Sequence, residues 1–119
     1  MMNKLEYFNA KVESTLSPMD YLKIKELKGD NVILLDVRNA PKHIKKDKIK
    51  DSLELQQMDL INNLKQLPKD KLIVVYCWET WCNLGAKACI TLLKNGYDCM
   101  ELAGGIASWK TMGLPIEEL

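Results

Sequence analysis

Histidine is almost missing from this chain. His43 is the single one among 119 residues, and it sits in a lysine-rich stretch where an ordinary surface imidazole is expected. Zinc knuckles that need histidine ligands, and chemistry that needs a histidine base, have little to work with. Paired C-x-x-C motifs are absent too: Cys77, Cys82, Cys89 and Cys99 are separated by four, six and nine residues, so no metal site is expected. Charge imbalance is lacking, with 17 basic against 16 acidic residues, which leaves no global field to draw the chain to nucleic acid or an anionic membrane. The first eight residues hold no uninterrupted apolar stretch of signal-peptide length, and no later run reaches bilayer length. The expectation is a cytoplasmic chain. A disulfide scaffold is not expected either, because a chain of this length buries one core without covalent staples; reduced thiols are the default.

What is present is alternation. Leu5, Phe8 and Val12, spaced by three and four, predict a short amphipathic helix packed on the domain, so residues 1–16 are assigned to an N-terminal helix and 17–119 to the main domain. Ser17-Pro18 has the form of an N-cap followed by a first helical residue, and Lys28-Gly29-Asp30-Asn31 ends that helix. Val32-Ile33-Leu34-Leu35-Asp36-Val37 reads as a central parallel strand covered on both faces. Residues 38–51, with five lysines and few apolar side chains, read as mostly solvated loop; a basic docking patch is the alternative. Leu60, Ile61, Leu64 and Leu67 predict a helix over 59–67, and Leu72-Ile73-Val74-Val75-Tyr76 a second buried strand. Ala86 to Leu93 is helical and stops at Asn95-Gly96; residues 97–102 are strand-like, and Gly104-Gly105 turn the chain into a last short helix. Strands alternating with helices give an α/β fold with a central, mostly parallel sheet flanked by helices, its chemistry at the carboxyl ends of the strands.

Asp36 and Cys77 both end strands and so belong to the same rim. A thiol at the end of a buried strand faces the amino end of the next helix, whose N–H groups and dipole favour a thiolate and attract an anion. A small buried hydrophobe is the other role open to Cys77. Cys82, five residues on, either packs at the helix junction or resolves an oxidised Cys77 by forming an internal disulfide. Cys89 and Cys99 fall on apolar faces and are expected in the core. Trp78 and Trp81 either wall a substrate site or anchor the loop, and Asp36 with Arg38 can brace it.

Asp36-Val37-Arg38 after an apolar strand, Val74-Val75-Tyr76-Cys77, Gly96-Tyr97, and Leu102-Ala103-Gly104-Gly105-Ile106-Ala107-Ser108-Trp109 followed by Gly113-Leu114-Pro115 resemble, in order and spacing, a single rhodanese-like domain. The resemblance covers residues 17–115 and implies a three-layer fold and sulfurtransferase activity without a cofactor. It places the nucleophile at Cys77, which would carry sulfane sulfur as a persulfide to a thiol acceptor or to cyanide. The active loop would be Trp78, Glu79, Thr80, Trp81, Cys82 and Asn83. Its length and second cysteine are similar to a branch with a Cys-x-x-x-x-Cys loop.

This loop holds an acid, two indoles and no cation, so thiosulfate, a dianion, is a poor fit beside Glu79. The implied donor is a small sulfane-sulfur compound, or a persulfide carried by a thiol or a protein; the oligomeric state is open. The Gly-His-Ile segment common in the family is replaced around Asp47-Lys48-Ile49. A Cys-x5-Arg phosphate loop is excluded, because Asn83 stands where the arginine is needed. Two other functions stay open: a Cys77/Cys82 dithiol redox protein, and a non-catalytic module docking an acidic partner through Lys42 to Lys50.

Overall fold

A computed structural model describes residues 2–119. Thirteen α-helices and β-strands make up the framework of the described residues. Helix α1 (Lys4–Ser14) is followed by strand β1 (Thr15–Leu16), helix α2 (Pro18–Lys28), strand β2 (Val32–Asp36), the single turn α3 (Lys42–Lys45) and strands β3 (Asp47–Ile49) and β4 (Leu53–Glu54). Then come the short helix α4 (Gln57–Leu60), strand β5 (Leu72–Tyr76), helix α5 (Leu84–Lys94), strand β6 (Asp98–Leu102), helix α6 (Gly105–Thr111) and strand β7 (Ile116–Glu118). Five strands form one parallel sheet in the order β1-β6-β5-β2-β4, and β3 pairs with β7 in a separate antiparallel ribbon.

Both faces of the sheet are covered. On one, Leu34, Val74, Tyr76 and Leu102 meet Tyr21 of α2 and Ile106 and Trp109 of α6. On the other, Leu35, Val37, Ile73, Val75 and Cys99 meet Leu60 of α4 and Ala88 and Leu92 of α5. Ile73, Val74, Val75 and Tyr76 are fully buried, which is why this strand reads as an unbroken apolar run; each such aliphatic side chain contributes about 1.5–3 kcal/mol of burial. The three-layer α/β architecture agrees with the sequence.

Local chemistry sets the helix ends. Ser17 Oγ accepts from the Asp20 N–H at 3.1 Å and Pro18 opens α2. At the end of α5, Gly96 takes φ +84°, and the Tyr97 N–H turns back to the Leu92 carbonyl at 3.0 Å.

Three expectations are corrected. Leu5, Phe8 and Val12 do not pack: they are 71, 56 and 74 % exposed, and α1 buries no residue fully. It is held instead through β1, whose Leu16 enters the core beside β6. The helix expected over 59–67 is broken after α4. Asn63 Nδ2 donates to the Asp59 carbonyl (2.7 Å) and Gln66 Nε2 to Asn63 Oδ1 (2.9 Å), local side-chain bonds that compete with a continuous helix; Leu60 and Leu67 remain buried while Ile61 is exposed. Residues 38–51 are more structured than a solvated loop. Lys45 is buried with its Nζ 2.5 Å from Glu54 Oε2, and Lys48 Nζ donates to the Ser52 carbonyl at 2.6 Å. That leaves Lys42, Lys46 and Lys50 as the exposed lysines of the stretch.

Candidate functional site

Strands β2 and β5 run in register, with Asp36 beside Tyr76, so the segments that follow them emerge together on one rim. Cys77 is the first residue past β5 and is 3 % exposed. The chain beyond it is pinned from below. The N–H groups of Ile106 and Ala107, in the first turn of α6, donate to the carbonyls of Cys77 and Trp78, both at 3.0 Å. Gly105 makes this approach possible: it has φ +59°, and a Cβ there would lie 2.5 Å from the Cys77 oxygen. This is the physical meaning of the glycine pair in the sequence.

A second brace comes from β2. Arg38 Nε donates to Asp36 Oδ1 at 2.9 Å, and Nη2 donates to Asp36 Oδ2 and to the Asp47 carbonyl, each at 2.7 Å; both charged side chains are fully buried. Burial opposes the guanidinium charge, but the hydrogen bond and charge of Asp36 outweigh it and raise the Arg38 pKa. The guanidinium lies over the Trp78 indole, 4.6 Å from its centroid. The Tyr76 hydroxyl donates to Asp36 Oδ2 (3.1 Å), accepts from the Ile49 N–H (3.1 Å) and lies 2.9 Å from Ser52 Oγ, which ties the brace to the ribbon of β3.

Above these supports the loop curls, with the Cys82 N–H donating to the Glu79 carbonyl at 3.0 Å. Cys77 and Cys82 are joined by a disulfide, so the two thiols meet across the loop. The N–H groups of Glu79, Thr80 and Trp81 have no acceptor among the described residues. Helix α5 starts at the rim without a side-chain cap from Asn83. Cys77, Glu79, Thr80, Cys82, Asn83 and Ala86 line one side of a cavity of about 470 Å³. The arrangement can hold an anionic or sulfur-bearing ligand against a loop of free amides and a helix N-terminus.

The sequence-predicted residues therefore divide. Cys77, Cys82, Glu79, Thr80 and Asn83 share the cavity. Trp78 lies beneath it, packed against the core and Arg38, and Trp81 is 71 % exposed, its indole N–H donating to Glu79 Oε2 at 3.2 Å. Neither indole lines the cavity: of the two roles open to them, Trp78 takes the anchoring one, on Arg38 and the core, while Trp81 stands exposed. Asp36 and Arg38 are buried below the loop. Three groups that line the same cavity were missed: Tyr7 and Lys11 of α1, and Glu101 of β6. For Glu101 the one signal available was an acid two residues past Cys99 on a strand covered on both faces; for Tyr7 and Lys11 there was none. Among the described residues there is no cluster of metal-ligating side chains and no helix long and apolar enough to cross a membrane.

The family model of the rhodanese-like domain matches residues 21–112. A sulfurtransferase of Allochromatium vinosum is 35 % identical over 91 residues, which are 73 % of this chain and 79 % of that protein. An HTH-type transcriptional regulator of Mycobacterium tuberculosis is 27 % identical over 106 residues, 86 % of this chain but 46 % of the regulator, so the chain spans under half of that relative. Among solved structures, a full-length protein from Lactobacillus plantarum superimposes with a TM-score of 0.91 at 34 % identity, covering 98 % of this chain and 97 % of that one. A rhodanese-related protein from Thermoplasma volcanium gives a TM-score of 0.73 at 25 % identity, with 87 and 96 % covered.

Proposed function

Because the chain belongs to the rhodanese-like domain family, we propose that it is a sulfurtransferase that carries sulfane sulfur as a persulfide on Cys77. The observation that carries this reading is the place of Cys77: past the end of a central strand, under a curled loop with free N–H groups, facing the start of α5 in a cavity of about 470 Å³. In the dithiol form, the Cys77 thiolate attacks the outer sulfur of a donor and forms the new S–S bond, and the donor's leaving group departs with the electron pair. An acceptor thiolate or cyanide then attacks the outer sulfur, and the Cys77 thiolate leaves. The loop amides and the helix dipole favour the thiolate in both halves, so no histidine base is needed. Glu79 offsets the one lysine of the cavity, Lys11, so no surplus of positive charge draws in a dianionic donor. A persulfide carried by a small thiol or by a protein fits that balance.

A second reading rests on the disulfide. The Cys82 thiolate can attack Sγ of a Cys77 persulfide, closing the Cys77–Cys82 bond and expelling HS⁻; a dithiol or low-molecular-weight thiol then reopens it. The same pair would serve a dithiol redox protein that handles no sulfane sulfur.

Thiocyanate formation from a persulfide donor and cyanide separates the readings. Cys77→Ser is expected to bring the rate to the uncatalysed level, whereas Cys82→Ser keeps transfer and abolishes sulfide release. Unchanged turnover in Cys77→Ser would overturn the sulfurtransferase reading.

A further inference from the structure

On the α5 face of the sheet the strands present Leu35, Val37, Ile73, Val75 and Cys99, all buried and apolar or thiol. Glu101 follows Cys99 by two residues and so continues that face toward the rim. Its carboxylate rests against the first turn of α5, and Gly85 makes the room: any side chain there would collide with Glu101 Oε2. Glu101 has no ion-pair partner and accepts no hydrogen bond among the described residues, yet it lines the same cavity as Cys77 and Cys82. A half-buried acid without a partner on a central strand is costly to keep charged, and such groups concentrate where proton transfer is done.

We propose that Glu101 is the proton donor to the departing thiolate when Cys77 takes sulfur from an organic persulfide, R–S–SH. The inference rests on the sulfurtransferase reading and deepens it. Cys77 Sγ⁻ attacks the outer sulfur, the bond between the two donor sulfurs breaks, and the electron pair leaves on R–S⁻. Glu101 gives its proton to that sulfur, so Cys77–S⁻, R–S–SH and a neutral Glu101 become Cys77–S–SH, R–SH and a Glu101 carboxylate, which water reprotonates. No external oxidant enters, since sulfane sulfur moves from one thiol to another.

The assignment explains a donor preference. Alkyl thiols have a pKa of about 8.5, so an unprotonated alkyl thiolate is a poor leaving group at neutral pH, whereas an acidic aryl thiol needs no proton. Burial pushes the Glu101 carboxyl above its ordinary value and so keeps a larger share of it protonated. The titratable groups around Glu101 are Lys11 and Tyr7 from α1, Glu79 and Cys82 from the loop, Cys77 beyond β5 and Cys89 from α5.

The test is single-turnover loading of the reduced protein, read by intact mass, with an alkyl persulfide and an aryl persulfide. Glu101→Gln is expected to slow the alkyl donor by about a hundredfold, the lower end of the range of general acid catalysis, and the aryl donor by less than about threefold. Glu101→Asp should recover part of the alkyl rate. Equal slowing of both donors, or slowing of neither, overturns the role of Glu101, as does an aspartate variant no better than glutamine. Wild type that takes no sulfur on Cys77 from either donor would instead overturn the underlying sulfurtransferase reading.

Discussion

Two pairs of cysteines have opposite surroundings. Cys77 and Cys82 meet across a rim loop, bonded to each other, above a braced floor and beside an open cavity. Cys89 and Cys99 meet inside the seam between α5 and β6, where Cys99 Sγ lies 3.6 Å from the Cys89 carbonyl. The neighbouring Cys99 thiol, together with burial, pushes the Cys89 thiol up and holds it neutral. The difference is one of backbone rather than residue type. At the rim, N–H groups without acceptors and a helix start lie near the sulfur, the setting that the proposed thiolate needs; in the seam the two thiols bond to each other, raising Cys89 and lowering Cys99.

The sharpest way to break the comparison is to remove the rim's floor. Arg38→Ala leaves Asp36 buried without its partner and frees Trp78, and should cost about 3–5 kcal/mol in chemical denaturation. A loss below about 1 kcal/mol would mean that the brace does not hold the loop. Gly105→Ala comes next. It forces a side chain into φ +59° and toward the Cys77 carbonyl, so it should cost about 1–3 kcal/mol and slow sulfur loading. Loading at the wild-type rate would show that the Cys77 carbonyl need not be fixed. Cys99→Ser tests the other pair. It puts a hydroxyl into an apolar seam and should cost about 1–3 kcal/mol while leaving sulfur transfer within about twofold of wild type.

The smallest effect concerns pH. Because the folded Glu101 holds its proton to higher pH than the unfolded chain, folding stability falls as pH rises from the unfolded value of about 4.3 through the folded one. Glu101→Gln should therefore melt above wild type at pH 7, with the difference closing below about pH 4. A melting difference independent of pH would show that Glu101 ionises in the fold as freely as in water.

Much of this was legible in the sequence, for physical reasons. Buried parallel strands leave unbroken apolar runs, so β2 and β5 and the thiol at the end of β5 stand out, and glycines that must accept positive φ mark the Cys77 support. The part of the cavity lined by α1 was not legible. Tyr7 and Lys11 reach it because β1 adds a two-residue edge strand beside β6, a pairing too short to leave a periodic signal. The apolar stripe of α1 misled in the same way: Leu5, Phe8 and Val12 have helical spacing, but the strand that follows, and not that stripe, docks the helix. The two tryptophans look alike in sequence and differ only through Arg38, whose stacking on Trp78 depends on contacts between β2 and the loop.

One measurement reaches the central claim most directly: intact mass and peptide mapping of the reduced protein after exposure to a persulfide donor, with each of the four cysteines changed to serine in turn. The account predicts a gain of one sulfur atom in wild type and in the Cys82, Cys89 and Cys99 variants, and none in Cys77→Ser. Sulfur retained by Cys77→Ser, or mapped to Cys89 or Cys99, would contradict the assignment of the chemistry to the rim.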